Sequence, residues 1–416
     1  MILKVYSEKV YLFLLIFFSF TIPFQVNLNN LALGLLILYW LISGGLVIKL
    51  KSVLANKYFW MFSAVYLIQF LGILYSTDVQ DALTKLEKKA GLLVLPLVIF
   101  SIPAFKGKQL FYIILAFSVS CFLFITYAIF RVLLAYGTVI NVPHLTEFID
   151  DVIHLHHAYS GLYLVFSINS LIYFLNRYWQ DIKPTTRLGI VFLVLALYTG
   201  LIILGARMAL FISLVILGLQ MLLFTLQKRN FRSLVFISCT ILVGLVGILI
   251  LPSTHGKLNE LLFLRGIYHP FTPRLIQWQC CFNILGANQA FVQGVGTGDV
   301  KPLLQTCYQD KKFWGHLYNY NLHNEYLEEM IRHGIIGLTL LLVAFFYPLV
   351  VAIKQRNYLY VYFILIFMFA CLSESILNRQ KGVIFYAFFN SLLTVLFIKS
   401  KAEEFAFCEE IPKKLF

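Results

Sequence analysis

The chain has 416 residues, of which 60% are hydrophobic, 17% aromatic and only 12% charged, with a formal net charge of +14. This balance excludes a string of soluble domains. It also argues against nucleic-acid binding, which needs a soluble basic face, and none is apparent between the apolar runs.

Apolar runs near the ~20 residues that cross a bilayer as a helix recur from end to end, about twelve in all. They cover 10–26, 31–48, 58–75, 90–104, 109–135, 158–175, 188–204, 208–226, 233–251, 335–353, 358–373 and 383–398. The expected architecture is an all-α integral membrane protein. Basic residues are retained on the cytoplasmic side. Lys4 and Lys9, Lys49 to Lys57, Lys106 and Lys108, Arg177 to Arg187, Lys228 to Arg232, Lys354 and Arg356, and the lysines from Lys399 on fall on alternate connections. Both termini are therefore expected inside. No small-residue cleavage site follows the first run, so it reads as a retained helix.

Three regions follow: N-terminal transmembrane helices over 1–150, a transmembrane core over 151–398 and a cytoplasmic tail over 399–416. Two outer connections, 136–157 and 252–334, are long, and the second is too aromatic for disorder. It is expected to hold short helices. All nine histidines fall in these two segments. Either they mark the longest polar stretches, or the outer face carries proton-transfer chemistry. Of seven cysteines, Cys280, Cys281 and Cys307 lie in the large loop, and Cys307 has the option of a disulfide with one of the adjacent pair.

The stretch "NLHNEYLEEMIRHGIIGL" (321–338) reads as a helix over 322–333 capped by Asn321. At ~100° per residue, Glu325, Glu328, Glu329 and Arg332 share one side, expected toward water. Tyr326, Leu327, Met330 and Ile331 form the other, and His323 projects from that apolar stripe toward the bundle. Burial favours a neutral imidazole, which can accept a proton. The alternative is a core histidine satisfied by a neighbour.

His323, Asn324, nine residues, Gly334, two residues and Gly337 reproduce a His-(Asn/Ser/Gln)-x9-Gly-x-x-Gly pattern and resemble the O-antigen ligase and polymerase superfamily. "LGARMALF" (204–211) resembles the same family's arginine motif, with Arg207 in place and Phe211 where leucine is common. "PRLIQWQ" with Arg274, "GVGTG" (294–298), "HHAYSGLYL" (156–164) and "ESILNRQKG" (374–382) are similar to relatives as well. The resemblance covers roughly 150–390. It implies a GT-C-type glycosyltransferase in the bacterial inner membrane, with loop 252–334 and the active site periplasmic. Such an enzyme moves a glycan from an undecaprenyl diphosphate carrier to an acceptor hydroxyl, on lipid A core for a ligase or on another glycan for a polymerase. It inverts the anomeric carbon and needs neither metal nor cofactor. The expected partners are that donor, the acceptor and membrane lipids.

Under this resemblance His323 is the base and Asn324 orients the imidazole or a sugar. Arg207 grips a diphosphate, a role its planar fork suits, or else snorkels as a topology anchor. Arg274 is a second cation or an ordinary loop ion pair. Lys85, Lys88 and Lys89 contact lipid phosphates, Lys88 being the binding candidate, or form an exposed amphipathic turn. Glu374 and Arg379 read as a paired support for the site. Gly296 belongs to an anion nest or to a turn that needs positive φ. Trp278 and Trp314 stack on sugars or pack beneath the loop. His154, His156 and His157 beside Asp150 and Asp151 match no common metal motif, so no metal site is expected. A transporter of lipid-linked sugar is the competing class, and it predicts charges in mid-span.

Overall fold

The computed structural model describes residues 2–102, 107–136, 145–153, 155–226, 235, 237–242 and 272–403. Most of the expected ninth span, the opening of the large loop and the end of the tail lie outside them. Among the described residues the chain is helical, with no strand.

The helices are α1 (Ile2–Thr21), α2 (Val26–Ile42), α3 (Leu46–Leu54), α4 (Lys57–Ile73), α5 (Val79–Lys89) and α6 (Gly91–Ser101). They continue with α7 (Gly107–Tyr136), α8 (Leu145–Ile153), α9 (His157–Arg177), α10 (Pro184–Ile203) and α11 (Arg207–Leu226). Next come α12 (Thr272–Ala287), α13 (Val300–Asp310), α14 (Glu325–Lys354), α15 (Tyr358–Cys371) and α16 (Gln380–Glu403). Short polar side chains start several of them, because an exposed amide at a helix start needs an acceptor. Asn56 accepts from the Tyr58 amide at 3.0 Å, Asp78 from Asp81 at 2.9 Å and Asn324 from Leu327 at 3.1 Å.

Five helices among the described residues, α7, α9, α10, α11 and α14, are long and apolar enough to cross a membrane, or six if α2 and α3, bent by 109°, count as one span. The expectation of about twelve exceeds this number. α4 and α15 are apolar but only 17 and 14 residues long. The run at 90–104 yields an α6 of 11 residues containing Pro96. A hydropathy window sums side chains and does not see where the backbone turns.

Helix α9 is the axis of the bundle. From Tyr159 to Asn176 every residue but Tyr173 is buried. Around it Phe117, Phe166, Phe363, Phe385 and Phe389 interlock, with Phe166 and Phe389 rings 4.6 Å apart and Phe117 and Phe389 4.9 Å apart. Such tilted and edge-on pairs add roughly 0.5–1.5 kcal/mol each beyond simple burial.

A second, smaller core lies in the loop region, where Cys280, Leu285, Leu304, Tyr308 and Ile331 pack together. The disulfide left open by the sequence joins Cys280 to Cys307, and Cys281 stays free and buried. It ties α12 to α13.

Helix α14 breaks at His333 (φ −130°) and Gly334 (φ +61°), separating a first segment of two turns from a long apolar segment. The break lets residues 291–298 slide against it. A Cβ on Gly334 would sit 2.2 Å from the Val292 carbonyl oxygen, and one on Gly294 would sit 2.2 Å from that of Arg332. Gly334→Ala is expected to destabilise the protein by about 1–3 kcal/mol from the strained dihedral alone. The backbone collision adds to that. Gly34→Ala, where a Cβ meets nothing within 4 Å, is the control. Thermal unfolding in detergent should show a lowered midpoint for the first and not for the second.

Candidate active site

The turn before α14 holds His323 at φ +44°. The Asn321 side chain accepts its amide at 3.0 Å, while Asn324 caps the helix and donates its side-chain amide to Leu372 O at 3.2 Å. The expected helix over 322–333 is therefore corrected: it starts at Glu325, and Asn324, not Asn321, is its cap. His323 is held by a loop and does not ride on a helical stripe.

The polar face is also the reverse of the expectation. Glu325, Glu328, Glu329 and Arg332 are all buried. Arg332 pairs with Glu328 at 2.6 Å, and Asn378 donates to the same carboxylate at 2.8 Å. Lys89 from α5 pairs with Glu329, which also meets Gln69 at 2.9 Å and His333 at 3.1 Å. Glu325 accepts the Leu377 amide at 2.7 Å. A helical wheel separates polar from apolar faces but cannot say which cations and amides come from elsewhere to neutralise the polar one.

This network anchors the segment that carries Glu374. Glu374 Oε2 lies 3.0 Å from His323 Nδ1, and Oε1 lies 4.0 Å from an Arg274 guanidinium nitrogen. Burial acts to raise the Glu374 pKa. The His323 hydrogen bond and the charges of His323, His156 and Arg274 outweigh it and hold the carboxyl below its ordinary value. An ionised carboxylate can only accept. In its neutral form the imidazole carries its proton on Nδ1 and donates it to Glu374, which leaves the Nε2 lone pair available. The Tyr320 ring stands edge-on to His323 at 5.4 Å.

A depressed carboxyl stabilises the fold above its unfolded pKa, and that stability is lost as pH falls through the folded value. Glu374→Gln should therefore flatten the acid side of the stability profile below about pH 4–5, the range of an ordinary glutamate. A midpoint that falls on acidification as steeply as in the wild type would show that Glu374 does not carry this dependence.

Arg207 opens α11, after Gly205 at φ +64°. It belongs to the same end of the bundle as Glu374. A Cβ on Gly161, one turn into α9, would lie 2.9 Å from Ala206 Cβ and 2.8 Å from Ala209 Cβ. On the other side of that turn, the Tyr159 hydroxyl donates to Ser375 O at 3.4 Å. The first turn of α9 therefore bridges the Arg207 turn and the Glu374 loop.

The other sequence candidates fall differently. Glu374 is paired with His323 and Arg274 rather than with Arg379, whose charge instead acts on His156. Lys88 is exposed on α5, whereas Lys89 points into the network. Lys85 flanks the same network. Burial first, and then the Arg332 charge, push its pKa down to about 8, against the pull of Glu328 and Asp81.

Gly296, at φ +105°, donates its amide to Arg332 O at 3.0 Å. Val295, Thr297 and Gly298 amides are likewise taken, by Ile331 O, Gly72 O and Ser76 Oγ. "GVGTG" is thus a wedge between α4 and α14, not an anion nest. Trp278 donates to Leu322 O at 3.2 Å and braces the His323 turn. The His323–Glu374 and Lys89–Glu329 pairs join residues far apart in the chain, and no local pattern announces them.

A part-buried histidine hydrogen-bonded to a carboxylate, with Arg274 beside that carboxylate, stands at one end of a bundle of apolar helices long enough to cross a membrane. Residues 189–342 match the family model for O-antigen ligase, and the match supports the O-antigen ligase and polymerase superfamily. It takes in Arg207, Arg274, His323 and Asn324, while Glu374, Arg379 and Lys88 lie outside it. Together the helices and the match support a ligase- or polymerase-type membrane enzyme. No curated protein matches the chain.

Proposed function

We propose that the protein is an inverting glycosyltransferase of the GT-C type. It moves a glycan from undecaprenyl diphosphate to an acceptor hydroxyl at the periplasmic face of the bacterial inner membrane, as an O-antigen ligase acting on lipid A core. The observation that carries this reading is the 3.0 Å contact between His323 Nδ1 and Glu374, with Arg274 on the other carboxylate oxygen. It sets the imidazole in the tautomer that a base requires.

His323 Nε2 takes the acceptor proton as the hydroxyl oxygen attacks the anomeric carbon, and the lipid diphosphate departs from the opposite face. Positioned proton transfer of this kind contributes ~10²- to 10⁴-fold. Arg207 and Arg274 meet the charge developing on the diphosphate, with no metal needed for that step. Trp314, Tyr318 and Tyr320 offer an aromatic edge beside His323 for acceptor sugars, Trp314 and Tyr320 being 5.2 Å apart. The Cys280–Cys307 disulfide supports an oxidising compartment for this region, in keeping with basic inner connections and cytoplasmic termini. The buried charges gather before the break at Gly334 instead of in mid-helix, which favours an enzyme at one face over a translocation path.

Deleting the gene and resolving the surface glycan on a gel tests the reading. Loss of all polymer from lipid A core, with polymer retained on the carrier, is the expected result. A single attached repeat unit would identify a polymerase instead. Carrier-linked units held on the inner leaflet would identify a transporter.

A further inference from the structure

Spacing alone gives Asp150, His156 and His157 no metal motif, but folding changes their neighbourhood. Helix α8 ends at Ile153 and α9 starts at His157, and His157 Nδ1 lies 2.7 Å from Asp150 Oδ2. The His156 and His157 rings stack with centroids 4.2 Å apart. One ligand atom from each of the three residues lies within 4.8 Å of the others. The second Asp150 oxygen, Oδ1, is buried and has no hydrogen-bond partner among the described residues. A buried carboxylate oxygen without a donor calls for an explanation, and a cation supplies one.

Glu329 offers no such opening. Around Glu329, both carboxylate oxygens are engaged by Lys89, Gln69 and His333, so the charge is already neutralised within the protein.

We propose that Asp150, His156 and His157 bind one divalent transition-metal ion of the zinc class. A carboxylate and two imidazoles are ordinary ligands for such an ion, at bonds of about 2.0–2.2 Å. The ion replaces the proton shared by His157 and Asp150. His156 completes the set by a ring rotation that gives up a long 3.3 Å bond from the Ala158 amide. Side-chain exposures of 34% for His157 and 20% for Asp150 leave a path for entry and for a water ligand. The site ties α8 to the start of α9. It lies on the same side of the molecule as the His323–Glu374 pair, since His156 is among the charges that act on Glu374. This inference rests on the cluster itself and does not require the transferase reading.

The test uses full-length protein purified in detergent on a tag without histidines, equilibrated with Zn²⁺ and passed through gel filtration to remove excess. Elemental analysis should find stoichiometric zinc, and Co²⁺ should give the visible ligand-field bands of a low-coordinate site. Both should vanish in His157→Ala and in the Asp150→Ala, His157→Ala double variant, and both should persist in His316→Ala. Wild-type protein that retains no zinc and shows no Co²⁺ bands overturns the proposal, as does a double variant that keeps both. Should the variants fail to fold, the wild-type zinc content and Co²⁺ spectrum decide by themselves.

Discussion

His323→Ala is expected to leave the protein inserted and folded while glycan transfer falls by ~10²- to 10⁴-fold, the usual contribution of a positioned base. The side chain is part-buried in a loop, its backbone amide is held by Asn321, and the helix that follows is capped by Asn324. None of these structural bonds involves the imidazole. Loss of the ring therefore removes the chemistry and, of the bonds that hold the fold, only the hydrogen bond to Glu374, whose other oxygen keeps Arg274 nearby. The measurement is turnover of purified protein with a lipid-linked donor and a soluble acceptor analogue, beside its unfolding midpoint. Glu374→Gln should fall between the two, because an amide can still meet Nδ1 but no longer favours the imidazolium that forms when Nε2 takes a proton. Near-normal turnover of His323→Ala would remove the base assignment and with it the proposed mechanism.

Lys89→Met is expected to cost about 3–5 kcal/mol, because it leaves Glu329 charged and buried with its cation gone. Lys89 is 1% exposed and Glu329 fully buried, so water does not replace the lost partner. The remaining donors, Gln69 and His333, cannot supply a full positive charge unless His333 takes up a proton. The Lys89→Met, Glu329→Gln double variant should recover part of the loss, since an amide in place of the carboxylate no longer demands a counter-ion. Unfolding in detergent, followed by intrinsic fluorescence, measures both. A single variant as stable as the wild type would show that the network does not hold α5 to α14.

These two variants also separate the roles of the neighbouring polar groups. His323 and Glu374 stand part-exposed at the surface of the cluster, where a substrate can reach them. Lys89, Glu329, Glu328 and Arg332 lie beneath, fully enclosed, and set the position of the 374–378 segment. The outer layer is expected to govern rate, and the inner one stability.

Sequence by itself determined the membrane-embedded helical class, since apolar runs of span length have no other stable form in lipid. It also marked His323, Asn324, Arg207 and Arg274, because their motifs are local in the chain and the family match covers them. Only the tertiary structure decided which face of the 325–332 helix is buried, since that depends on Lys89, Gln69 and Asn378 arriving from distant segments. It turned "GVGTG" from a candidate anion nest into a wedge, because the amides in question are taken by carbonyls of α14 and α4 and by the Ser76 hydroxyl. It gave His323 a carboxylate at Glu374, 51 residues away, and brought Asp150 of α8 together with His156 and His157 at the start of α9. Periodicity and spacing report on neighbours along the chain, whereas a buried charge is settled by whichever partner the fold brings within about 3 Å.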